Sequence, residues 1–406
     1  MTRAFDVILF GASGFTGRLV AEYLSTHYGV GGALRWAMAG RSRHKLEQVR
    51  ELIGAPDELP LRVVEATDSA ALSALVSQAK VVISTIGPYQ LHGQPLITAC
   101  AQAGTDYVDL CGEPAWMAKM IPRLQPLAIA SGARIVFSCG FDSIPFDLGV
   151  VFLQHEAQRR FGQPLRQVHG RVLAIKGGPS GGTIASAMAT FEAMAGDAGV
   201  ARTMADPFAL TPGFRGPAQP DGGGAVYDEL AKAWAAPFVM ATINTKNVHR
   251  TNALTGHPWG RDFVYDERVL TGSGRAGQQR ARRLARLDRI QGLLLGFGPT
   301  RALLRRFALP QPGQGPSPRQ RETGHYALSF SGLSSDGRAL RVTVTGDRDP
   351  GYGSTCKMIA ETALCLLHDV DHGMTAGGVW TPGAAMGLAL VRRLRAKAGL
   401  SFDVAA

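Results

Sequence analysis

The sequence has no apolar run long enough to cross a membrane, and it contains very little cysteine. No uninterrupted hydrophobic stretch approaches the roughly 18 residues that a membrane-spanning helix needs. The five cysteines form no CxxC pair, which argues against a disulfide framework and against a zinc site. The first strand-like run begins at about residue 5, where a signal peptide would otherwise stand. We therefore expect a cytoplasmic protein without a bound metal.

Lysine is absent from one long part of the chain, where arginine takes its place. The 406 residues are 45% hydrophobic and 18% charged, a globular composition with room for two or three domains. The net charge is +11. The segment 250–306 contains 12 arginines, no lysine and four acidic residues, and therefore carries much of this positive charge.

A glycine-rich turn follows the first apolar run, Phe5-Asp6-Val7-Ile8-Leu9-Phe10. A helical pattern begins directly after it, and strand, glycine turn and helix form the first unit of a dinucleotide-binding fold. The glycines allow a sharp turn, the approach of a pyrophosphate to the backbone, and close packing of helix on strand. The turn residues predicted to contact the cofactor are Gly11, Ser13, Gly14, Phe15, Thr16 and Gly17.

Residues 1–150 alternate between strand-like and helix-like patterns. The strand-like runs are 5–10, 34–39, 61–66, 80–85, 106–109 and 134–139. Helical patterns lie between them, so we expect an α/β fold with a doubly wound parallel (Rossmann) sheet. In such a sheet the ligand crevice lies at the carboxyl ends of the first and fourth strands.

Basic residues follow the second predicted strand, where NAD-selective sites usually carry an acidic residue. Arg41, Ser42 and Lys45 stand there. A guanidinium can bind a 2′-phosphate through two hydrogen bonds. The sequence therefore predicts NADP(H) as the cofactor, against the alternative of a solvated basic helix start.

The ends of the third and fourth strands provide further candidates for cofactor binding. Asp68 is predicted either to reach the adenine or to cap the following helix. Ser84 and Thr85 end the fourth strand and should lie beside the nicotinamide ribose. Gly87 and Pro88 then impose an irregular turn that exposes backbone groups to a ligand.

Three side chains near the predicted crevice are candidates for catalysis. Tyr89 follows the Gly87-Pro88 turn, where it could face the nicotinamide, although it could equally be a core aromatic residue. Asp142 and Ser143 follow the sixth strand, where they could contact the substrate. The alternative for both is capping of the next helix.

Several motifs carry a family resemblance. They are the glycine turn, Ala39-Gly40-Arg41, Gly87-Pro88-Tyr89, and the segments 107–113 and 140–145. With these motifs the chain resembles the saccharopine dehydrogenase-like oxidoreductases, and within them it looks most like the bacterial trans-acting enoyl reductases. The resemblance implies NADPH-dependent reduction of acyl intermediates on a polyketide synthase carrier protein, in the synthesis of complex lipids such as glycolipids.

The segment 151–349 is predicted to form an inserted α+β substrate domain. Strand-like runs occur at 168–176, 237–243, 325–331 and 339–346, and the segment 333–337 has the composition of a hairpin turn. The segment 350–406 is predicted to return to the first domain with helices. Its resemblance to the closing part of saccharopine dehydrogenase-like proteins supports this expectation.

The segment 279–297 has the pattern of an arginine-rich amphipathic helix. Leucines fall on one face, while Arg282, Arg286 and Arg289 fall on the opposite one. The helix could attach peripherally to an anionic membrane at the inner face, dock to an acidic carrier protein, or simply present a solvated basic face. Nucleic-acid binding is not expected, because aromatic residues are not interleaved with the arginines.

Two other functions remain open at this stage. A saccharopine- or opine-type reductase of imines or keto acids would need cations for substrate carboxylates, and Arg171 and Lys176 could serve. A membrane-associated, lipid-handling protein that binds NADP(H) without turnover would account for the basic helix.

Overall fold

The order of strands and helices follows the alternation of the sequence in the first part of the chain. The computed structural model describes residues 3–178, 181–300 and 315–405. Its strands are β1 (Phe5–Phe10), β2 (Trp36–Gly40), β3 (Leu61–Val63), β4 (Ala79–Ser84), β5 (Asp106–Asp109), β6 (Arg134–Val136), β7 (Leu165–Lys176), β8 (Val226–Asp228), β9 (Ala233–Pro237), β10 (Val264–Gly272), β11 (His325–Ser334), β12 (Ala339–Gly346), β13 (Gly378–Trp380) and β14 (Leu400–Val404). Its helices are α1 (Phe15–Tyr28), α2 (Arg43–Leu52), α3 (Ser69–Val76), α4 (Tyr89–His92), α5 (Gln94–Ala103), α6 (Pro114–Ser131), α7 (Ile144–Phe161), α8 (Gly181–Gly196), α9 (Ala198–Ala205), α10 (Ala241–Leu254), α11 (Gly274–Gly296), α12 (Pro318–Thr323), α13 (Thr355–His368) and α14 (Pro382–Lys397), with a π-helical turn at Pro350–Ser354.

The first sheet is parallel throughout and carries helices between its strands. Its strand order is β13-β6-β5-β4-β1-β2-β3. Val7 in β1 lies opposite Trp36 in β2 and Val81 in β4, and all three side chains are buried. Burial on both faces explains why the central strands are continuous apolar runs rather than alternating ones. The prediction of a doubly wound Rossmann sheet is confirmed.

A seventh strand, β13, joins this sheet from the C-terminal part of the chain. Gly378 pairs with Arg134 of β6. The buried Arg134 guanidinium binds the Asp106 carboxylate and donates to the carbonyl oxygens of Leu366 and Val370. The sequence analysis missed β13 because three residues are too few to show a period of two.

The second sheet is mixed, with the order β14-β12-β11-β7-β10-β9-β8. Only β7 and β10 run parallel among its paired neighbours, and β11 and β12 form the predicted hairpin around Gly337. α7 packs directly on this sheet, since a Cβ on Gly149 would lie 2.3 Å from the Phe330 ring. The prediction of an α+β part beside the Rossmann sheet is confirmed, while its bounds as an inserted domain stay a prediction.

The predicted strand at 237–243 is wrong. β9 ends at Pro237, which cannot donate a hydrogen bond to a continuing ladder. The Ala241 N–H donates to the Phe238 carbonyl oxygen, and this turn leads into α10. Side chains along α10, both polar and apolar, are buried, so the helix lacks the apolar stripe by which a sequence pattern is recognised.

The C-terminal segment closes both sheets rather than the first alone. α13 packs against α1, β4 and β5, as a return to the first domain predicts. β14, however, pairs with β12 in the second sheet, with Phe402 opposite Val344. α11 confirms the predicted helix at 279–297 and begins five residues earlier than expected. In the described residues, no helix combines the length and the apolar character that crossing a bilayer requires.

Candidate cofactor and active site

The glycine turn forms a cradle that side chains would fill. Gly11 adopts φ = 90°, a conformation that favours glycine. A Cβ on Gly17 would lie only 2.2 Å from the Gly11 carbonyl oxygen. Gly14 precedes α1 without a side-chain cap, which leaves N–H groups of the first helical turn available to an anion. The cradle therefore fits the pyrophosphate of a dinucleotide.

Thr85 and Ser13 connect this cradle to its neighbours. The Thr85 hydroxyl lies 3.2 Å from the Gly11 carbonyl oxygen and 3.3 Å from that of Phe10. This hydroxyl holds the end of β4 against the turn. The Ser13 Oγ would lie 3.7 Å from a Cβ on Gly40, which places the turn beside the end of β2. Phe15 packs edge-on against Tyr352, with 5.1 Å between the ring centroids.

The end of β2 presents the predicted basic group to solvent. Arg41 and Lys45 are exposed, and within the described ranges neither forms an ion pair. The neighbouring Arg43 binds Glu47 instead. The Ser42 hydroxyl accepts a hydrogen bond from the Lys45 N–H and caps α2, yet it keeps its own proton to donate. Two uncommitted cations and a hydroxyl donor fit a 2′-phosphate.

Asp68 is a helix cap in this structure. Its Oδ1 accepts a hydrogen bond of 3.0 Å from the Ala71 N–H at the start of α3. This favours the capping alternative over the contact with adenine, which stays a prediction.

The structure does not support Tyr89 as a proton donor. The peptide bond between Gly87 and Pro88 is cis, and Tyr89 follows it into the core. The Tyr89 hydroxyl donates to the Ser84 carbonyl oxygen and accepts from the Leu110 N–H, each at 3.0 Å. Burial raises the pKa of this phenol well above its usual value. Tyr89 therefore ties the ends of β4 and β5 together.

Glu113 is a site residue to which the sequence analysis assigned no role. Its two carboxylate oxygens accept hydrogen bonds from the backbone N–H groups of Tyr89, at 2.9 Å, and Gln90, at 2.7 Å. It is buried, and burial raises its pKa. Glu113 thus fixes the start of α4 beside the β4 end. Its position just after the fifth strand was the signal that could have identified it.

Asp142 is the candidate whose surroundings suit a proton donor. It is half-buried in the loop after β6, and a Cβ on Gly112 would lie 3.3 Å from its Oδ2. Burial raises the pKa of its carboxyl group to about 6. Within the described part of the chain its carboxyl group forms no hydrogen bond and no ion pair, and it caps no helix. A half-exposed carboxyl with such a pKa can carry a proton near neutral pH.

Ser143 stands at the N-cap position of α7, but its side chain makes no capping hydrogen bond. α7 has no side-chain cap, and the Ser143 hydroxyl is buried. It donates to Asn244 Oδ1 at 3.3 Å and accepts from Asn247 Nδ2 at 2.6 Å. Asn244 in turn donates to Glu267, whose pKa burial raises to about 8. The expectation of a catalytic Ser143 is therefore corrected to a structural contact between α7 and α10.

The cations proposed for a carboxylate-bearing substrate are not grouped in a cleft. Arg171 is buried, and its guanidinium binds the Asp228 carboxylate at 2.5 Å and the Asp266 carboxylate at 3.0 Å. Lys176 is exposed at the end of β7. Neither of these two described cations therefore supports the imine and keto-acid alternative.

The parallel sheet, the glycine cradle and the basic group at β2 define an NADP-dependent oxidoreductase of the Rossmann class. Comparison with known proteins gives the same result. Residues 7–136 match the family described as the saccharopine dehydrogenase NADP binding domain.

Relatives extend this match to almost the whole chain. A trans-acting enoyl reductase of Mycobacterium tuberculosis is 37% identical over 415 residues, covering 97% of this chain and 96% of that protein. The Mycobacterium leprae enzyme of the same name is 36% identical over 417 residues, with the same coverage. A further M. tuberculosis protein, which carries the name provisionally, is 39% identical over 422 residues, 99% of this chain and 97% of its own. The chain belongs to the trans-acting enoyl reductases among the saccharopine dehydrogenase-like proteins.

Solved structures confirm the fold. Apo saccharopine dehydrogenase (L-Glu forming) from Saccharomyces cerevisiae superposes with a TM-score of 0.53 at 13% identity, covering 99% of this chain and 100% of that one. Homospermidine synthase from Legionella pneumophila, solved with NAD, has a TM-score of 0.53 at 10% identity, covering 100% of this chain and 92% of that one. At these identities the likeness concerns the fold alone.

Proposed function

We propose that this protein uses NADPH to reduce the carbon–carbon double bond of an enoyl thioester held on a carrier protein. One observation carries the proposal: relatives named for enoyl reduction match 97–99% of the chain. The match therefore includes the second sheet and is not limited to the cofactor-binding residues. The carrier of a polyketide synthase that builds complex lipids is the proposed partner, since a reductase acting in trans must receive its substrate from another protein.

Different residues at the carboxyl ends of the strands would bind different parts of the cofactor. The cradle at Gly11, Gly14 and Gly17 would hold the pyrophosphate, and Arg41 with Lys45 would hold the 2′-phosphate. When bound, NADPH supplies a hydride, which the enoyl thioester accepts at its β-carbon. The second sheet, which packs on α7, would form the wall on the substrate side.

Asp142 is the proposed proton donor. Hydride addition to the β-carbon leaves an electron pair on the α-carbon, and a proton delivered there completes the reduction. Asp142 lies in the loop after β6, at the same edge of the sheet as the glycine cradle. Because its pKa is about 6, a protonated fraction is available near neutral pH and declines as the pH rises.

Turnover with labelled reagents tests the reaction itself. Purified protein would be given NADPH and a panel of enoyl thioesters on pantetheine or on a carrier protein, and cofactor oxidation would be followed by absorbance. Deuteride from labelled NADPH should appear at the β-carbon, and solvent deuterium at the α-carbon. Oxidation of NADPH by an imine or a keto acid, with enoyl thioesters inert, would refute the proposal. NADPH binding without oxidation by any of these compounds would instead favour a protein that does not turn over.

The Asp142→Asn variant tests the proton donor. We expect kcat to fall by about 10²- to 10⁴-fold, the usual contribution of a positioned acid. The decline of the wild-type rate as pH rises through about 6 should disappear in the variant. Asp336→Asn is the matched control, since Asp336 lies in the exposed hairpin turn far along the chain. An Asp142 variant with the wild-type rate and pH profile would exclude this role.

We also propose that the protein is located in the cytoplasm. All five cysteines are buried free thiols, which supports a reducing compartment.

A further inference from the structure

The C-terminal half of α11 exposes an unusual amount of apolar surface. Fifteen large hydrophobic side chains are exposed in the described residues, and six of them lie within 14 consecutive positions of this helix and its end. The six are Leu284, Leu287, Ile290, Leu293, Leu294 and Phe297, with exposed fractions from 41% to 70%. At a rise of 1.5 Å per residue they extend for about 20 Å. A solvated helix face does not require such a surface.

The first part of the same helix is firmly attached to the body of the molecule. Ala281 is fully buried, and a Cβ on Gly277 would lie 2.0 Å from the Gly272 carbonyl oxygen. This part packs against β9, β10 and α8. α8 also borders the crevice, because a Cβ on Gly87 would lie 3.4 Å from the Ser186 Oγ. The exposed half of α11 is therefore held in a fixed relation to the wall of the site.

Arginines accompany the apolar residues on the exposed half. Leu287, Ile290 and Leu294 follow one another at helical spacing and form a stripe. Arg282, Arg286 and Arg289 form a second row about 100° around the helix from this stripe, rather than directly opposite it as expected from the leucines, and Arg283 is exposed as well. In the described residues none of these four arginines pairs with a carboxylate. Asp288 is the one acidic side chain on α11.

We propose that the exposed half of α11 lies in the surface of an anionic membrane, with Leu287, Ile290, Leu294 and Phe297 inserted among the acyl chains. The arginine side chains are long enough to hold their guanidinium groups at the level of the lipid phosphates while their stems remain in apolar surroundings. The net charge of +11 attracts the whole molecule to such a surface. This inference concerns a surface outside the cofactor site and does not depend on the enoyl reductase proposal.

An acidic carrier protein is the competing partner, and the distribution of the side chains favours the membrane. Every residue from Gly296 to Gly298 is exposed, as is nearly every residue between Arg282 and Leu294. Leu293 is exposed outside the stripe, so the helix presents apolar side chains around much of its circumference. A docking protein would cover one face, whereas lipid can surround several faces at once.

Sedimentation with lipid vesicles tests the electrostatic part of the proposal. The full-length protein should bind vesicles that contain phosphatidylglycerol and should bind those of phosphatidylcholine alone far more weakly. Each arginine near an anionic surface contributes about fivefold to binding, so the triple variant Arg282→Gln/Arg286→Gln/Arg289→Gln should bind about 100-fold more weakly at low salt. The matched control, Lys119→Gln/Arg123→Gln, removes two exposed charges from α6 and should bind like the wild type.

Insertion is tested separately through the apolar stripe. Leu287→Ser/Ile290→Ser/Leu294→Ser should lose vesicle binding even at low salt, whereas Leu52→Ser/Ile129→Ser, which alters equally exposed residues elsewhere, should keep it. In a Phe297→Trp variant the indole emission should shift to the blue when phosphatidylglycerol vesicles are added. All variants should keep wild-type NADPH affinity, which shows that they are folded. Absent vesicle binding, or equal binding by the stripe variant and the wild type, would overturn the proposal. A blue shift produced by an acidic carrier protein but by no vesicle would overturn it in favour of that partner.

Discussion

Arg41 is the side chain that should distinguish the two nicotinamide cofactors. It is exposed at the end of β2 and forms no ion pair with the described residues, so its charge is available to a 2′-phosphate. Loss of a charge-assisted hydrogen bond costs roughly 1.5–3 kcal/mol. Arg41→Ala should therefore weaken NADPH binding by about tenfold to a hundredfold and leave NADH binding almost unchanged in a fluorescence titration.

The control for this prediction is Arg123→Ala, which removes an exposed arginine from α6. It should change neither affinity. Equal losses of NADPH and NADH affinity in Arg41→Ala would contradict the assignment of Arg41 to the 2′-phosphate.

Gly17 is the glycine of the cradle with the least room for a side chain. A Cβ there would meet the Gly11 carbonyl oxygen at 2.2 Å and the Thr85 hydroxyl at 2.8 Å, so the turn would have to open. Gly17→Ala should reduce NADPH affinity at least tenfold, measured by the same titration. Gly32→Ala is the control, because its Cβ would lie 3.9 Å from the nearest atom. Equal NADPH affinities of the Gly17→Ala and Gly32→Ala variants would show that the cradle has more room than these distances indicate.

Sequence reasoning can propose a role for a residue when that role depends on the local chain. The spacing of Gly11 and Gly17 follows from the turn itself, and Arg41 is recognised by its place after a strand. The surroundings of Tyr89 and Ser143 could not be predicted in the same way, because residues far along the chain determine them. The Leu110 amide engages the Tyr89 hydroxyl, and Asn247, 104 residues away, engages Ser143.

At the scale of elements, one buried carboxylate joins three helices. Asp147 of α7 accepts a hydrogen bond of 2.6 Å from the Thr251 hydroxyl of α10. Its other oxygen accepts one of 2.7 Å from the Gly383 N–H of α14. Burial raises the pKa of Asp147 to about 7. The folded state thus holds this proton more tightly than the unfolded state does, and this lowers the free energy of unfolding as the pH rises from about 4 to 7.

Asp147→Asn should therefore flatten the dependence of stability on pH. An asparagine can accept from the Gly383 N–H and donate to the Thr251 hydroxyl, so the contact is kept without the titration. Between about pH 4 and 7 the slope should decrease by up to about 1.4 kcal/mol per pH unit, measured by urea unfolding at several pH values.

Asp336→Asn is the control for this experiment. Its hydrogen bonds to Arg338 and Ser334 lower the pKa of Asp336, so its own contribution to the slope lies below about pH 4. It should leave the slope above that pH unchanged. A variant of Asp147 with the wild-type slope would show that this carboxyl is already ionised in the folded protein.

Elements with regular periodicity were predicted well, and those stabilised by the rest of the protein were not. Strands β1 to β6 of the first sheet and the hairpin at 333–337 follow from their sequence patterns, whereas β13 is too short to do so. α10 does not, because its buried polar side chains, such as Asn244 and Asn252, depend on partners supplied by other elements. The run 237–243 is apolar and has high β-propensity, yet β9 ends at Pro237 and α10 begins at Ala241.

At the scale of the whole molecule, the C-terminal segment 350–406 connects the two sheets, because it contributes β13 to the first and β14 to the second. The resemblance to saccharopine dehydrogenase-like proteins implied its return to the first domain. The sequence did not indicate that β14 completes the second sheet. The sheet that such a strand joins depends on its partner, here β12, and cannot be deduced from the pattern of the strand itself. Phe402 and Leu400 are buried there against residues of β12.

Glu361 is a buried charged residue that holds the C-terminal segment against α1. Its carboxylate is fully buried in α13 and accepts hydrogen bonds from the hydroxyls of Tyr23 and Tyr28 in α1, at 2.7 Å and 2.6 Å. It also binds the Arg393 guanidinium of α14 at 2.6 Å. One side chain therefore connects the helix after the glycine cradle to both closing helices.

Glu361→Ala should lower the free energy of unfolding by about 3 kcal/mol, because it leaves Asp369 as the remaining carboxylate partner of the mostly buried Arg393 and removes an acceptor from the hydroxyls of Tyr23 and Tyr28. Urea unfolding followed by both fluorescence and circular dichroism measures this, and the two probes should move together if both sheets unfold as one unit. Asp347→Ala is the matched control: it removes the half-exposed partner of Lys357 at the start of α13 and should cost less than about 1 kcal/mol. A loss in Glu361→Ala no larger than in this control would show that apolar packing, rather than Glu361, holds the C-terminal segment in place.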